Sequence, residues 1–179
     1  MSEQTTGDAT MVTAVFDNPG AVERAYEAAT RRGYAMGDIN VVMADDTRRR
    51  AFAGKENLPP ELASKSAEGG ELGGGPAGQH MGLAISVVAA VAAALAIPGL
   101  GLVAAGPLAV ALAGAGAAGV AATLVGALAD WGLPEERVRH YDQAIRDGAV
   151  LVGVKARTRE DARALAEQWR ALGARDVYA

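Results

Sequence analysis

His80 and His140 are the only imidazoles in the chain, and no cysteine accompanies them. A zinc site needs several ligands at short spacing, and neither H-x-x-x-H nor H-x-x-E-H occurs. The lack of cysteine also removes disulfides and thiolate nucleophiles. Gly114, Gly116 and Gly119 spell G-x-G-x-x-G, and Gly73, Gly75 and Gly78 spell it again. A dinucleotide site needs that motif between a strand and a helix, with an acid about 20 residues on. The first copy falls inside an apolar helical stretch and the second contains Pro76, so helix packing and a hinge explain them better. Arg48, Arg49 and Arg50 are a candidate hold on phosphate or an anionic membrane, but three charges give only a weak, salt-sensitive grip. A solvated linker is the better reading. Asp45 with Asp46, and Glu135 with Glu136, are adjacent carboxylates at a turn and a helix start, where capping and dipole roles suffice. No nucleophile–base pair is recognisable. The expectation is a non-enzymatic protein with no catalytic residue, cofactor or metal.

The elements that would carry these residues fall into two related sets. Met11–Phe16 (MVTAVF) is β-branched and apolar, and turn residues Asp17 to Gly20 follow it, which predicts a strand. Asn18 can cap a helix with Pro19 in its first position. Val22, Ala25, Tyr26 and Ala29 give that helix one apolar face, Gly33 stops it, and Ile39–Ala44 (INVVMA) predicts a second strand. The pattern recurs near the C-terminus. AVLVGVK over 149–155 predicts a strand, and Thr158 with Asp161 three residues on forms a capping box. The next helix has an apolar stripe of Ala162, Leu165, Ala166, Trp169 and Leu172, ends at Gly173, and leads to a short strand at Val177–Tyr178. A shift of about 140 residues superposes Val12 on Val152, Ala14 on Val154, Val22 on Ala162 and Gly33 on Gly173. Two such halves make a ferredoxin-like α+β fold, a four-stranded antiparallel sheet with two helices on one face. Val12, Ala14, Phe16, Val152 and Val154 then face those helices. Met11, Thr13, Val15, Leu151, Gly153 and Lys155 line the mixed second face, which is open to water, to another subunit or to cover by the insert.

Between Leu72 and Ala129 lie 58 residues without one Asp, Glu, Lys or Arg, and 32 of them are Ala or Gly. All the charge, 17 basic and 21 acidic side chains for a net of −4, sits outside this run. That balance argues against a dedicated nucleic-acid binder. The chain thus reads as a disordered N-terminus over 1–10, a first βαβ half over 11–44 and a flexible linker over 45–78 with room for a short helix. An apolar helical hairpin over 79–130 follows, and then an amphipathic helix with the second βαβ half over 131–179. Pro134 opens the amphipathic helix, whose apolar positions are Val138, Tyr141 and Ile145. Pro98 and Pro107 divide the insert into helical stretches of roughly 78–97 and 107–129, joined by GLGLVAAG. Each is long enough to cross a hydrocarbon core of about 30 Å. The connector, however, has no polar side chain, basic residues do not flank the edges, and aromatic belts are missing apart from Trp131. Small residues recur every four positions, at Gly82, Ser86, Ala90 and Ala94 and again at Ala111, Ala115, Gly119, Thr123 and Ala127. Such stripes let helix backbones approach closely, in lipid or in protein. These nine residues are the candidate self-association site, and a homo-oligomer is the expected assembly.

MSEQTTGDAT has neither a basic region nor an apolar core, so a cytoplasmic chain is expected, with membrane lipid as an alternative partner. The segments around Val12–Ala44, AIPGLG, AAGPLA and GLPEERVRHYDQAIRDGAVLVGV resemble bacterial general stress proteins of the heat-induced, YflT-like kind. That resemblance implies a cytoplasmic stress-response protein without a defined catalytic site. The expected function is a non-enzymatic general stress protein that self-assembles through the apolar hairpin. The alternatives are a peripheral or re-entrant membrane protein of the stress response, and a small-ligand regulatory module using the mixed face of the sheet.

Overall fold

The computed structural model describes residues 10–52, 94–97, 101–115, 126, 128 and 131–179. β1 (Met11–Phe16) runs into α1 (Pro19–Arg31), whose first turn is closed by the Asn18 side chain accepting from the Gly20 N–H at 2.8 Å. Gly33, at φ +82°, turns the chain out of the helix, and β2 (Ile39–Ala44) follows. The second half repeats this: β5 (Val150–Lys155), Thr158 as N-cap, α5 (Arg159–Ala171), Gly173 at φ +88° and β6 (Arg175–Tyr178). Both capped helices start and stop 140 positions apart. β1 and β5 pair antiparallel, with Thr13 opposite Gly153. Those two residues are each other's repeat equivalents, so the pseudo-twofold axis of the duplication passes through that pair. β6 carries a bulge opposite β1, and Asp176 takes φ +53° within it.

The sheet has six strands in the order β3-β4-β2-β5-β1-β6, with neighbours antiparallel. The inner order β2-β5-β1-β6 is compatible with the expected ferredoxin-like arrangement. The two extra strands come from the apolar insert: β3 (Leu95–Ile97) and β4 (Leu102–Ala105) form a hairpin, and β4 pairs with β2. This corrects two expectations. The first helical stretch does not run to Ile97, and the connector is not a helix–helix loop. Proline and glycines between two apolar runs suit a hairpin in sequence, and β2 otherwise presents an open edge for β4 to satisfy. Gly101, at φ +63°, closes the turn and accepts from the Asp45 N–H at 2.9 Å. The short helix allowed for in the linker falls at its start. Asp45–Ala51 is a helix, α2, with Thr47 buried, and Phe52 is buried behind it.

The faces of the sheet separate two cores. Val12, Ala14, Phe16, Val152 and Val154 pack under α1 and α5 as the alternation predicts. Trp169 of α5 stands edge-on to Phe16 at 6.3 Å and donates its indole N–H to the Ala25 carbonyl at 3.1 Å. The second face is covered by the chain itself. α3 (Pro107–Ala115) begins there, and α4 (Glu135–Arg146) lays Val138, Tyr141, Ala144 and Ile145 against Val15, Val42 and Leu151. Leu102, Leu108 and Leu128 from the insert complete this core. Pro134 is the N-cap of α4 rather than its first residue.

Candidate functional site

The small-residue stripe does not assemble as a pair of helix faces among the described residues. Ala94 is half-buried ahead of β3, not on a helix, and packs against the first core. Ala111 is exposed on α3 and Ala115 is its last residue. Gly82, Ser86, Ala90, Gly119, Thr123 and Ala127 lie outside the described residues, as does His80. His140 is exposed, with Nε2 2.8 Å from the Asp176 carboxylate. Arg48 and Arg49 both pair with Asp45, and Glu135 pairs with Arg139, so these charges knit their own helices. Among the described residues, no helix is long and apolar enough to cross a membrane.

What the fold does build is a junction between insert and sheet. Gly106 takes φ +86°, and a Cβ there would stand 2.3 Å from the Ile39 carbonyl oxygen. Only glycine permits so close an approach of backbone to backbone. Beside it, buried Asn40 joins three elements through one amide. Its Nδ2 donates to the Gly153 carbonyl of β5 at 3.3 Å, and its Oδ1 accepts from the Leu108 N–H of α3 at 2.7 Å. That N–H is one of the helix-start donors that α3 cannot satisfy internally. The insert is thereby fixed to the sheet at its helix start. α3 also has an open face: Leu108 and Ala109 are buried, whereas Val110 is 70% exposed and Ala111 is also exposed.

A cleft of about 550 Å³ lies beside this junction. Its floor is the uncovered end of the second sheet face, where Met11 of β1 is paired with Lys155 of β5. Asn40, Asp38 and Pro107 bound one side, and Trp131 bounds another. The Trp131 indole lies over Gly153, where a Cβ would meet it at 3.6 Å, an ordinary van der Waals contact. Tyr34 and Arg157 form the outer rim. The Arg157 guanidinium lies 4.4 Å from the Tyr34 ring centroid and donates to the Gly33 carbonyl. The Tyr34 hydroxyl donates to Asp161 and accepts from the Arg157 N–H at 3.1 Å. Burial first, and then the Asp161 carboxylate, push the Tyr34 phenol above its ordinary range.

Asp161 thus serves a wider role than the capping box gave it. Its N–H bonds the Thr158 hydroxyl at 3.0 Å, but its carboxylate reaches across to Tyr34 and Arg32 in the first half. Asn40, Gly106, Trp131 and Lys155 were not singled out as site residues from the sequence. Signals existed: Asn40 is the one polar residue in INVVMA, and the alternation places Lys155 on the face of Met11 and Thr13. Comparison with protein-family models, curated proteins and solved structures gives no match.

Proposed function

We propose that the chain is a non-enzymatic assembly protein: a duplicated α+β domain that presents part of an uncharged insert for association with further copies of itself. The carrying observation is α3. It is anchored at its start by Asn40 and Gly106, yet it points Val110 into water from a helix without a charged residue. An anchored apolar helix is a preorganised contact, because little ordering remains to be lost when a partner covers it. The uncharged run that contains it extends well beyond α3 in the sequence, and a run of that composition calls for shelter from water. Resemblance to heat-induced general stress proteins supports a stress-response setting for this assembly.

Size-exclusion chromatography with light scattering tests the reading. The expected result is a defined oligomer of the 18.2 kDa chain that dissociates on dilution. Val110→Glu should shift it toward monomer by about tenfold in the dissociation constant, since a charge would be buried in each contact. A wild-type protein that stays monomeric at high concentration overturns the proposal. So does an oligomer that Val110→Glu leaves intact.

A further inference from the structure

We propose that the cleft between Trp131 and Lys155 binds a small organic anion with a flat apolar body, an aryl-alkyl carboxylate being the simplest form. This goes beyond assembly: the cleft adjoins the start of α3 but depends on Trp131 and Lys155, which the assembly reading does not use. The cleft volume of about 550 Å³ falls within the usual range for small-molecule sites. Its lining divides into groups whose bonding is complete and groups whose bonding is not. The Asn40 amide is committed to Gly153 and Leu108, and the Tyr34 hydroxyl to Asp161 and Arg157. The Lys155 ammonium and the Trp131 indole N–H have no hydrogen-bond or ion-pair partner among the described residues. Both are donors, so the complementary ligand offers acceptors. Lys155 adds full charge, which selects an anion.

The remaining surface fixes the rest of the ligand. The Trp131 ring, the Met11 side chain and Pro107 supply apolar walls around the ammonium. A flat hydrocarbon portion resting on them would bury area on both partners, while its acidic group meets Lys155. On this lining Lys155 and Arg157 stand against one carboxylate, Asp38, which leaves a single net positive charge. A monoanion therefore fits better than phosphate. The site draws on both halves of the duplication, through Met11 and Lys155, and on the insert, through Pro107, so occupancy would bridge three parts of the chain.

Calorimetric titration of the full chain with 4-phenylbutyrate, 4-phenyl-1-butanol and inorganic phosphate tests this. The carboxylate should bind saturably at about millimolar or tighter, and the alcohol at least about tenfold more weakly. Phosphate should give no saturable heat. Lys155→Met and Lys155→Gln, both at an exposed position, should each lower carboxylate affinity to the level of the alcohol. Fluorescence gives an independent readout. Trp169 is buried in the first core, so quenching on titration should vanish in Trp131→Phe. Equal binding of acid and alcohol overturns the proposal, as does full affinity in both Lys155 variants, phosphate binding as well as the carboxylate, or no saturable binding of the carboxylate.

Discussion

Tyr26 and Tyr141 show how one residue type differs with its surroundings. Both rings are buried, Tyr26 under α1 and Tyr141 under α4. The Tyr141 hydroxyl lies 2.8 Å from Thr13 Oγ1 and donates to the Asp176 carbonyl at 3.0 Å, so it ties α4 to both β1 and β6. The Tyr26 hydroxyl is buried with no hydrogen-bond partner among the described residues. An unsatisfied buried hydroxyl costs about 1–3 kcal/mol, whereas one with partners leaves them orphaned when it is removed. The same substitution should therefore have opposite signs at the two sites. Tyr26→Phe is expected to raise stability by about 1 kcal/mol, and Tyr141→Phe to lower it by about 1–3 kcal/mol. Urea unfolding of the three proteins checks this, with the slopes compared to confirm that the unfolded states match. Destabilisation by Tyr26→Phe would mean that the hydroxyl has a partner after all.

At the scale of elements, the duplicated βαβ units were readable because each level agreed with the next. Asn18 and Thr158 cap, Gly33 and Gly173 stop, and apolar positions repeat at the helical period between them. Within the insert the same signals conflict. Leu95–Ile97 is three residues long, and so short an apolar run is ambiguous between strand and helix. Ala92, Ala93 and Ala94 ahead of it favour the helix reading locally, while the edge of β4, itself paired to β2, rewards a strand. The pairing partner decides, and it is invisible from the segment itself. The cleft was hidden for a similar reason, since Met11 and Lys155 are neighbours only through the register of β1 on β5. The element most exposed to a single change is α3, whose start depends on Gly106. Gly106→Ala puts a methyl 2.3 Å from a backbone oxygen at a φ of +86°, so β2 and α3 must separate. The cost expected is about 2–4 kcal/mol. Hydrogen exchange should show lost protection at Leu108 and Ala109 while β1 and β5 stay protected. Unchanged protection at those two amides would disprove the docking contact.

Among the described residues helices cover both faces of one sheet, and three tyrosines packed there have their ionisation opposed. α1 buries Tyr26, α4 buries Tyr141, and the loop after α1 places Tyr34 against Asp161 across the duplication. Desolvation is the leading cause in all three, and it raises each phenol above its ordinary value of 10. A phenol is neutral while protonated, so the folded state holds these protons more tightly than the unfolded chain does. The linked stability is complete below about pH 10, where both states are protonated, and falls as pH rises through the shifted values. For Tyr26, wholly buried, the slope approaches about 1.4 kcal/mol per pH unit. The chain should therefore unfold in alkali in one cooperative step, with these three of its four tyrosines ionising along with the loss of structure. Absorbance at the phenolate band, followed together with circular dichroism, separates the outcomes. Coincident transitions are expected, with the midpoint moved to higher pH in Tyr26→Phe because the most strongly opposed ionisation is gone. If four phenolates appear while the dichroism stays native, neither face of the sheet is sealed, and the cover that α4 and the insert give to the second face would have to be abandoned.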